Sequence, residues 1–180
     1  TRQCLANMGR EVYAEIITAY QLKNIPKFET LTQKFLQLID DQNRLMGTLE
    51  EFLLGKWIKD ARAKGKTKAE KNQMEYNAKL LLTLWKKDSD TDLHEYAHRE
   101  WNGLLSTLYK TRWQMYFTYL TKLLKNETAL PINYFEVEKN GLKIMISSIS
   151  KCLQEMQWIF AKKFFLNIST DKNTLIYFIY

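Results

Sequence analysis

Residues 28–45 read FETLTQKFLQLIDDQNRL. Phe28, Leu31, Phe35, Leu38, Ile39, Gln42 and Leu45 recur at three- and four-residue spacing, which gathers them on one face of a helix. Pro26 sits two residues ahead, where its missing N–H is harmless in a first helical turn. Gly47 follows and closes the segment. Reading outward, the same rhythm governs the neighbours. Leu5, Met8, Val12, Ile16 and Ala19 define a helix over 2–22. Phe52, Leu53, Trp57 and Ala61 define the inward face of another, from about Leu49 to Ala63.

The basic stretch KGKTKAEK (64–71) separates that helix from a fourth. Thr67 and Glu70 have the spacing of a capping box, in which each side chain satisfies an orphan amide at the helix start. Met74, Ala78, Leu81 and Trp85 then form its apolar stripe. A polar run follows, with Asp88, Asp90 and Asp92. Asp92 and Glu95 repeat the capping spacing before Leu93, Tyr96, Leu104 and Leu108, and the spacing predicts a helix there. A further helix over 111–127 carries Trp113, Phe117, Leu120 and Leu124. Residues 128–133 (TALPIN) read as a loop, and helix resumes from about Tyr134 to Asn167, with a break near 139–143. Only LIYFIY (175–180) is β-prone. The expected fold is all-α, an antiparallel bundle of about six to eight helices. Its domain is expected to span 1–168, with an atypical tail over 169–180.

Composition agrees with one domain and a real core: the chain has 180 residues, 46% hydrophobic and 26% charged, with only 6 Gly and 2 Pro. No apolar run approaches the length of a membrane span. The net charge of +7 is spread along the chain. Its densest run, 56–71, has no interleaved aromatics and reads as a solvated face rather than a nucleic-acid surface. Cys4 and Cys152 make no disulfide framework. The chain begins at Thr1 and reads as a piece of a longer protein.

Chemistry-bearing motifs are sparse. The chain has 2 histidines, His94 and His98, in HEYAH (94–98). Their i, i+4 spacing suits a metal on one helix face, but no third ligand is recognisable and the stretch lies at a helix start. The expectation is no metal and no cofactor. No phosphate loop, Cys-x-x-Cys pair or nucleophile elbow is present.

Four stretches in order, FLLGKWIKDAR (52–62), EYNAKLLLTLW (75–85), DLHEYAHREWNGLL (92–105) and YKTRWQMYF (109–117), resemble the C-terminal helical domain of the α-N-acetylglucosaminidase family, glycoside hydrolase family 89. The resemblance implies a retaining, exo-acting glycosidase with an N-terminal domain and a (β/α)-barrel as partner domains. It places both catalytic carboxylates on the barrel and none in this chain. It implies a terminal α-linked N-acetylglucosamine as substrate, with a secreted or periplasmic, bacterial setting. By motif position Trp85, Leu93 and Tyr96 match the family's pocket residues from this domain. The alternative is a helical protein-interaction module without catalytic role. Trp57, Trp101 and Trp113 read as helix-packing anchors, and Gly103 as a helical glycine at a close contact. Glu75 and Asn77 read either as hydrogen-bonding supports of the pocket loop or as packing. The sequence departs from the family at Lys86, where a glycine is usual.

Overall fold

The computed structural model describes residues 2–84, 98–136 and 139. All lie in the first of two compact units, Thr1–Lys143; the second is Ile144–Tyr180. The expected helix over 134–167 is described only at its start, Tyr134–Glu136, where Asn133 Oδ1 accepts from the Glu136 amide at 3.1 Å. The 168/169 boundary, the LIYFIY tail, the Asp92–Glu95 cap and Cys152 lie outside the described residues.

The fold is an all-α antiparallel bundle. Helix α1 (Arg2–Gln21) turns back into α2 (Ile25–Met46). The reversal is a Schellman motif: the Asn24 amide donates to Ala19 O (2.9 Å) and the Lys23 amide to Tyr20 O (3.0 Å), with Lys23 at φ 53°. Asn24 then caps α2 by accepting from the Lys27 amide, with Pro26 in the first turn as the sequence requires. A single 3₁₀ turn, Glu50–Phe52, precedes α3 (Leu54–Ala63), which is paired with α4 (Lys68–Leu80). The capping box expected at Thr67 and Glu70 is present in both directions. The last long helix among the described residues, α5 (Lys110–Leu124), is entered through a π-helical segment, Leu105–Tyr109. It closes on a second Schellman turn around Asn126 (φ 55°), with the Glu127 amide donating to Lys122 O. Among the described residues there is no strand, only an isolated bridge between Leu53 and Asn102.

The core joins α1, α2 and α5 through Val12, Ile16, Ala19, Phe28, Leu31, Phe117 and Leu120. Phe28 is wholly buried and meets Phe117 edge-on at 6.4 Å. Trp113 packs edge-on against Phe35 and Tyr13 at 4.7 and 5.4 Å. Two ion pairs tie α5 to α2, Lys110–Asp40 (2.6 Å) and Lys125–Glu29 (3.0 Å).

Several details differ from the sequence reading. Met8 is exposed. The inward face of α3 is Leu54 and Ile58, rotated from Leu53 and Trp57, because the 3₁₀ turn before it shifts the helical register. Gly47 closes α2 as expected, but with an ordinary right-handed backbone (φ −69°), and its missing Cβ admits Asn102, whose Nδ2 would lie 2.9 Å from such a Cβ. Most consequentially, residues 98–101 are not helical, and the helix that should contain Gly103 begins only at Leu104.

Candidate functional site

Trp85, Leu93 and Tyr96 lie outside the described residues. What the structure does define is the pair of flanks from which that segment departs and to which it returns.

On the first flank, α4 ends at Leu80 and a turn follows, Leu81–Leu84. Leu82, Thr83 and Leu84 are each at most 3% exposed, so the chain enters Trp85 from the interior. Three carbonyls hold the turn: Lys79 O accepts from the Leu82 amide and from Thr83 Oγ1, both at 3.0 Å, Asn77 O from the Leu81 amide (3.1 Å) and Leu80 O from the Thr83 amide (3.2 Å). The inward face of α4 is not the expected stripe. Met74 and Leu81 are exposed, whereas Glu75, Ala78 and Lys79 are buried. Lys79 Nζ lies 2.5 Å from Glu75 Oε1, and Arg62 of α3 closes on Glu75 Oε2. Burial pushes the Glu75 carboxyl up, but the hydrogen bonds and charges of Lys79 and Arg62 together outweigh it and hold the group below its ordinary value.

On the second flank the backbone is irregular and tightly bonded. His98 has φ 36° and lies outside any helix, so the placement of two histidines on one helix face fails at that end. Asn102 is 5% exposed. Its amide donates to Phe52 O (2.9 Å), its carbonyl accepts from the Leu54 amide (3.1 Å), and its Nδ2 donates to Asn43 O (2.8 Å). Asn43 Oδ1 in turn accepts from the Gly103 amide at 2.8 Å. Gly103 has φ 88°, and a Cβ there would meet Leu54 at 3.3 Å.

Trp57 joins the flanks. Its indole N–H donates to Ala78 O on α4 at 3.2 Å, and its ring packs edge-on against Trp101 at 5.7 Å. Arg99 lies over the Trp101 ring. Both tryptophans are anchors, as the sequence reading holds, though Trp101 anchors an irregular segment rather than a helix. Trp113 anchors α5 in the core. Of the two supports considered, Glu75 is buried and paired with Lys79 and Arg62, while Asn77 is exposed: its Oδ1 accepts from Gln73 and its carbonyl from the Leu81 amide. Sequence reasoning missed Arg62, Lys79, Asn43 and Asn102. A lysine and an arginine on helices read as solvated, and the asparagines carry no motif.

Among the described residues, no three His, Cys, Asp or Glu side chains gather in a way that could hold a metal ion. No helix there is long and apolar enough to cross a membrane. A groove of about 1090 Å³ runs past His98, Tyr109, Arg112, Trp113, Tyr116 and Tyr134.

The described residues form an all-helical domain, and the likeness to known proteins gives its family. Residues 1–161 match the family described as the Alpha-N-acetylglucosaminidase (NAGLU) C-terminal domain, and the chain belongs to it. It is 26% identical over 148 residues to human alpha-N-acetylglucosaminidase, covering 80% of this chain and 19% of the human one. It is 35% identical, with a TM-score of 0.73, to a double variant of the family 89 glycoside hydrolase from Clostridium perfringens solved with its substrate GlcNAc-alpha-1,4-galactose. That match covers 78% of this chain and 17% of the other. The same hydrolase bound to PUGNAc matches at 36% identity and the same TM-score, 0.73. The chain therefore spans less than a fifth of these relatives.

Proposed function

We propose that this domain supplies one wall of the sugar pocket of an exo-acting, retaining α-N-acetylglucosaminidase, working with an N-terminal domain and a barrel of the same protein. The barrel carries the nucleophile and the acid/base carboxylate of a double-displacement reaction. Trp85, Leu93 and Tyr96 line the wall, and the substrate is a terminal α-linked N-acetylglucosamine. The enzyme acts outside the cytoplasm. The observation that carries this reading is the likeness to a glycosidase crystallised on GlcNAc-alpha-1,4-galactose, at 35% identity across 78% of this chain. The physics is consistent with it. A pyranose presents a face of polarised C–H groups, which packs on the electron-rich face of an indole or phenol ring. Apolar walls also keep water from the charged chemistry on the barrel side.

Trp85→Ala in the full-length enzyme tests the wall. Losing one stacked aromatic contact lowers kcat/KM for an aryl α-N-acetylglucosaminide by about several-fold to tenfold. A tryptophan that only plugs the core would instead cost about 3–5 kcal/mol of stability on truncation. Unchanged kinetics beside a collapsed denaturant midpoint would assign Trp85 to packing and remove the wall.

A further inference from the structure

The basic run 56–71 reads from sequence as a solvated face, and the structure shows where its counter-charges go. Helices α3 and α4 pack chiefly on each other. Their root is fixed where the Leu54 amide donates to Asn102 O. α3 has 10 residues, so the hairpin tip at 63–68 stands about 15 Å from that root. Gly65 folds the tip tightly: a Cβ there would meet the Lys71 amide nitrogen at 2.5 Å. Lys64 and Lys66 are thereby held against the start of α4, beside Lys68 and Lys71. The carboxylates of α3, α4 and their connection are Asp60, Glu70 and Glu75, and each is taken up elsewhere. Asp60 pairs with Lys56 (3.0 Å), Glu70 accepts from the Lys66 and Thr67 amides (2.7 and 3.2 Å), and Glu75 is closed between Lys79 and Arg62. Lys59, Lys64, Lys66, Lys68 and Lys71 form no ion pair with any of them. All are exposed except Lys71, which is half-buried. Local stability does not account for this cluster. Lys68 opens α4, where the helix dipole is positive and disfavours a cation. Lys71 follows three residues later as a like charge on the same face.

We propose that this lysine tip, Lys64, Lys66, Lys68 and Lys71 with Lys59 behind it, docks the protein reversibly on an anionic lipid surface by charge alone. Shape selects the partner. A linear polyanion is held best in a groove that follows it, and none of these lysines lines the groove past His98 and Tyr134. An exposed hairpin tip meets a flat anionic surface with its charges together. The other exposed side chains at the tip are Ala63, Thr67 and Ala69. They offer no ring on which a nucleic-acid base could stack and no large apolar group to enter hydrocarbon. Each lysine near such a surface strengthens partitioning about fivefold, and added salt weakens it. The inference goes beyond the sugar-wall reading and does not depend on it.

Vesicle sedimentation with the full-length protein at low salt tests this, using phosphatidylcholine alone and phosphatidylcholine with about one-third phosphatidylglycerol. The expected result is binding to the anionic vesicles only. Lys66→Gln/Lys68→Gln should lower the partition coefficient about ten- to thirtyfold, with a denaturant midpoint near wild type. Lys66→Arg/Lys68→Arg, which keeps the charge, retains binding. Lys27→Gln/Lys34→Gln removes the same charge from exposed positions on α2 and should leave binding nearly intact. Should the first pair fail to fold, Lys64→Gln/Lys71→Gln takes its place. Failure to bind the anionic vesicles overturns the proposal. So do equal losses from the tip and α2 changes, which would show an effect of net charge without a docking patch. Tip-dependent binding to soluble alginate that is tighter than binding to the vesicles would assign the lysines to an acidic polysaccharide and overturn the lipid surface.

Discussion

Glu75 sits between two cations, one of them buried, and this makes the domain's stability depend on acid. Its carboxyl is held below the ordinary value by the hydrogen bonds and charges of Lys79 and Arg62, which outweigh the opposing effect of burial. A carboxyl with a lowered folded pKa contributes stability that is fully present above its unfolded pKa. That stability is lost as pH falls through the folded pKa. Glu75→Gln is therefore expected to cost about 3–5 kcal/mol at neutral pH, since it leaves Lys79 buried without its counter-charge. The gap to wild type should narrow as the pH drops below the ordinary carboxylate range. Urea midpoints of the two proteins over an acid series check this, and a gap that stays constant with pH would show that the ion pair contributes nothing. The pair also marks a limit of sequence reading. Thr67 and Glu70 were legible because a capping box acts through local backbone amides at fixed spacing. Lys79 was not, because a lysine in a helical pattern normally faces water, even with Glu75 four residues earlier on α4 as its partner, and only the packing of α3 against α4 reverses that.

At the scale of elements, the long periodic helices were legible and the joint between them was not. Val12, Ile16, Phe28, Leu31, Phe117 and Leu120 stand buried where their spacing puts them. The stretch before Leu104 reads as helix from the spacing of Leu93, Tyr96, Leu104 and Leu108, yet 98–101 is irregular. The backbone of Asn102 and Gly103, which follow it, is bonded to Phe52, Leu54 and Asn43, which are distant in sequence, and such tertiary bonds override a local pattern. Gly103 decides between the two descriptions by the sign of one measurement. In a helix, Gly103→Ala would stabilise by about 1 kcal/mol. At φ 88°, with Leu54 3.3 Å from the new Cβ, it should instead destabilise by about 1–3 kcal/mol. It should also loosen the bond from the Gly103 amide to Asn43. A shift of the denaturant midpoint upward would contradict the left-handed joint. Gly47→Ala strikes the same joint without backbone strain, by pressing on the Asn102 side chain instead.

At the scale of the whole molecule, the charge chemistry of the described carboxyls bears on where the reacting pair of the proposed glycosidase lies. A retaining glycosidase needs two carboxylates about 5–5.5 Å apart, and its general acid needs a raised pKa. The carboxyls with a resolved shift among the described residues, Asp41, Glu70 and Glu75, all move down. Each is occupied: Asp41 by Gln37 and Arg44, Glu70 by the Lys66 and Thr67 amides, and Glu75 by its two cations. Acids held ionised by caps and ion pairs are poor proton donors to a leaving group near neutral pH. The chain's span of 17% of the C. perfringens hydrolase leaves ample room for the reacting pair elsewhere. The domain alone should therefore turn over no aryl α-N-acetylglucosaminide, even at high protein concentration and with a cooperative unfolding transition showing that it is folded. A heat-inactivated sample sets the background. Turnover above it that disappears on replacing a carboxylate of this chain would move the catalytic machinery into the helical domain and overturn the division of labour with the barrel.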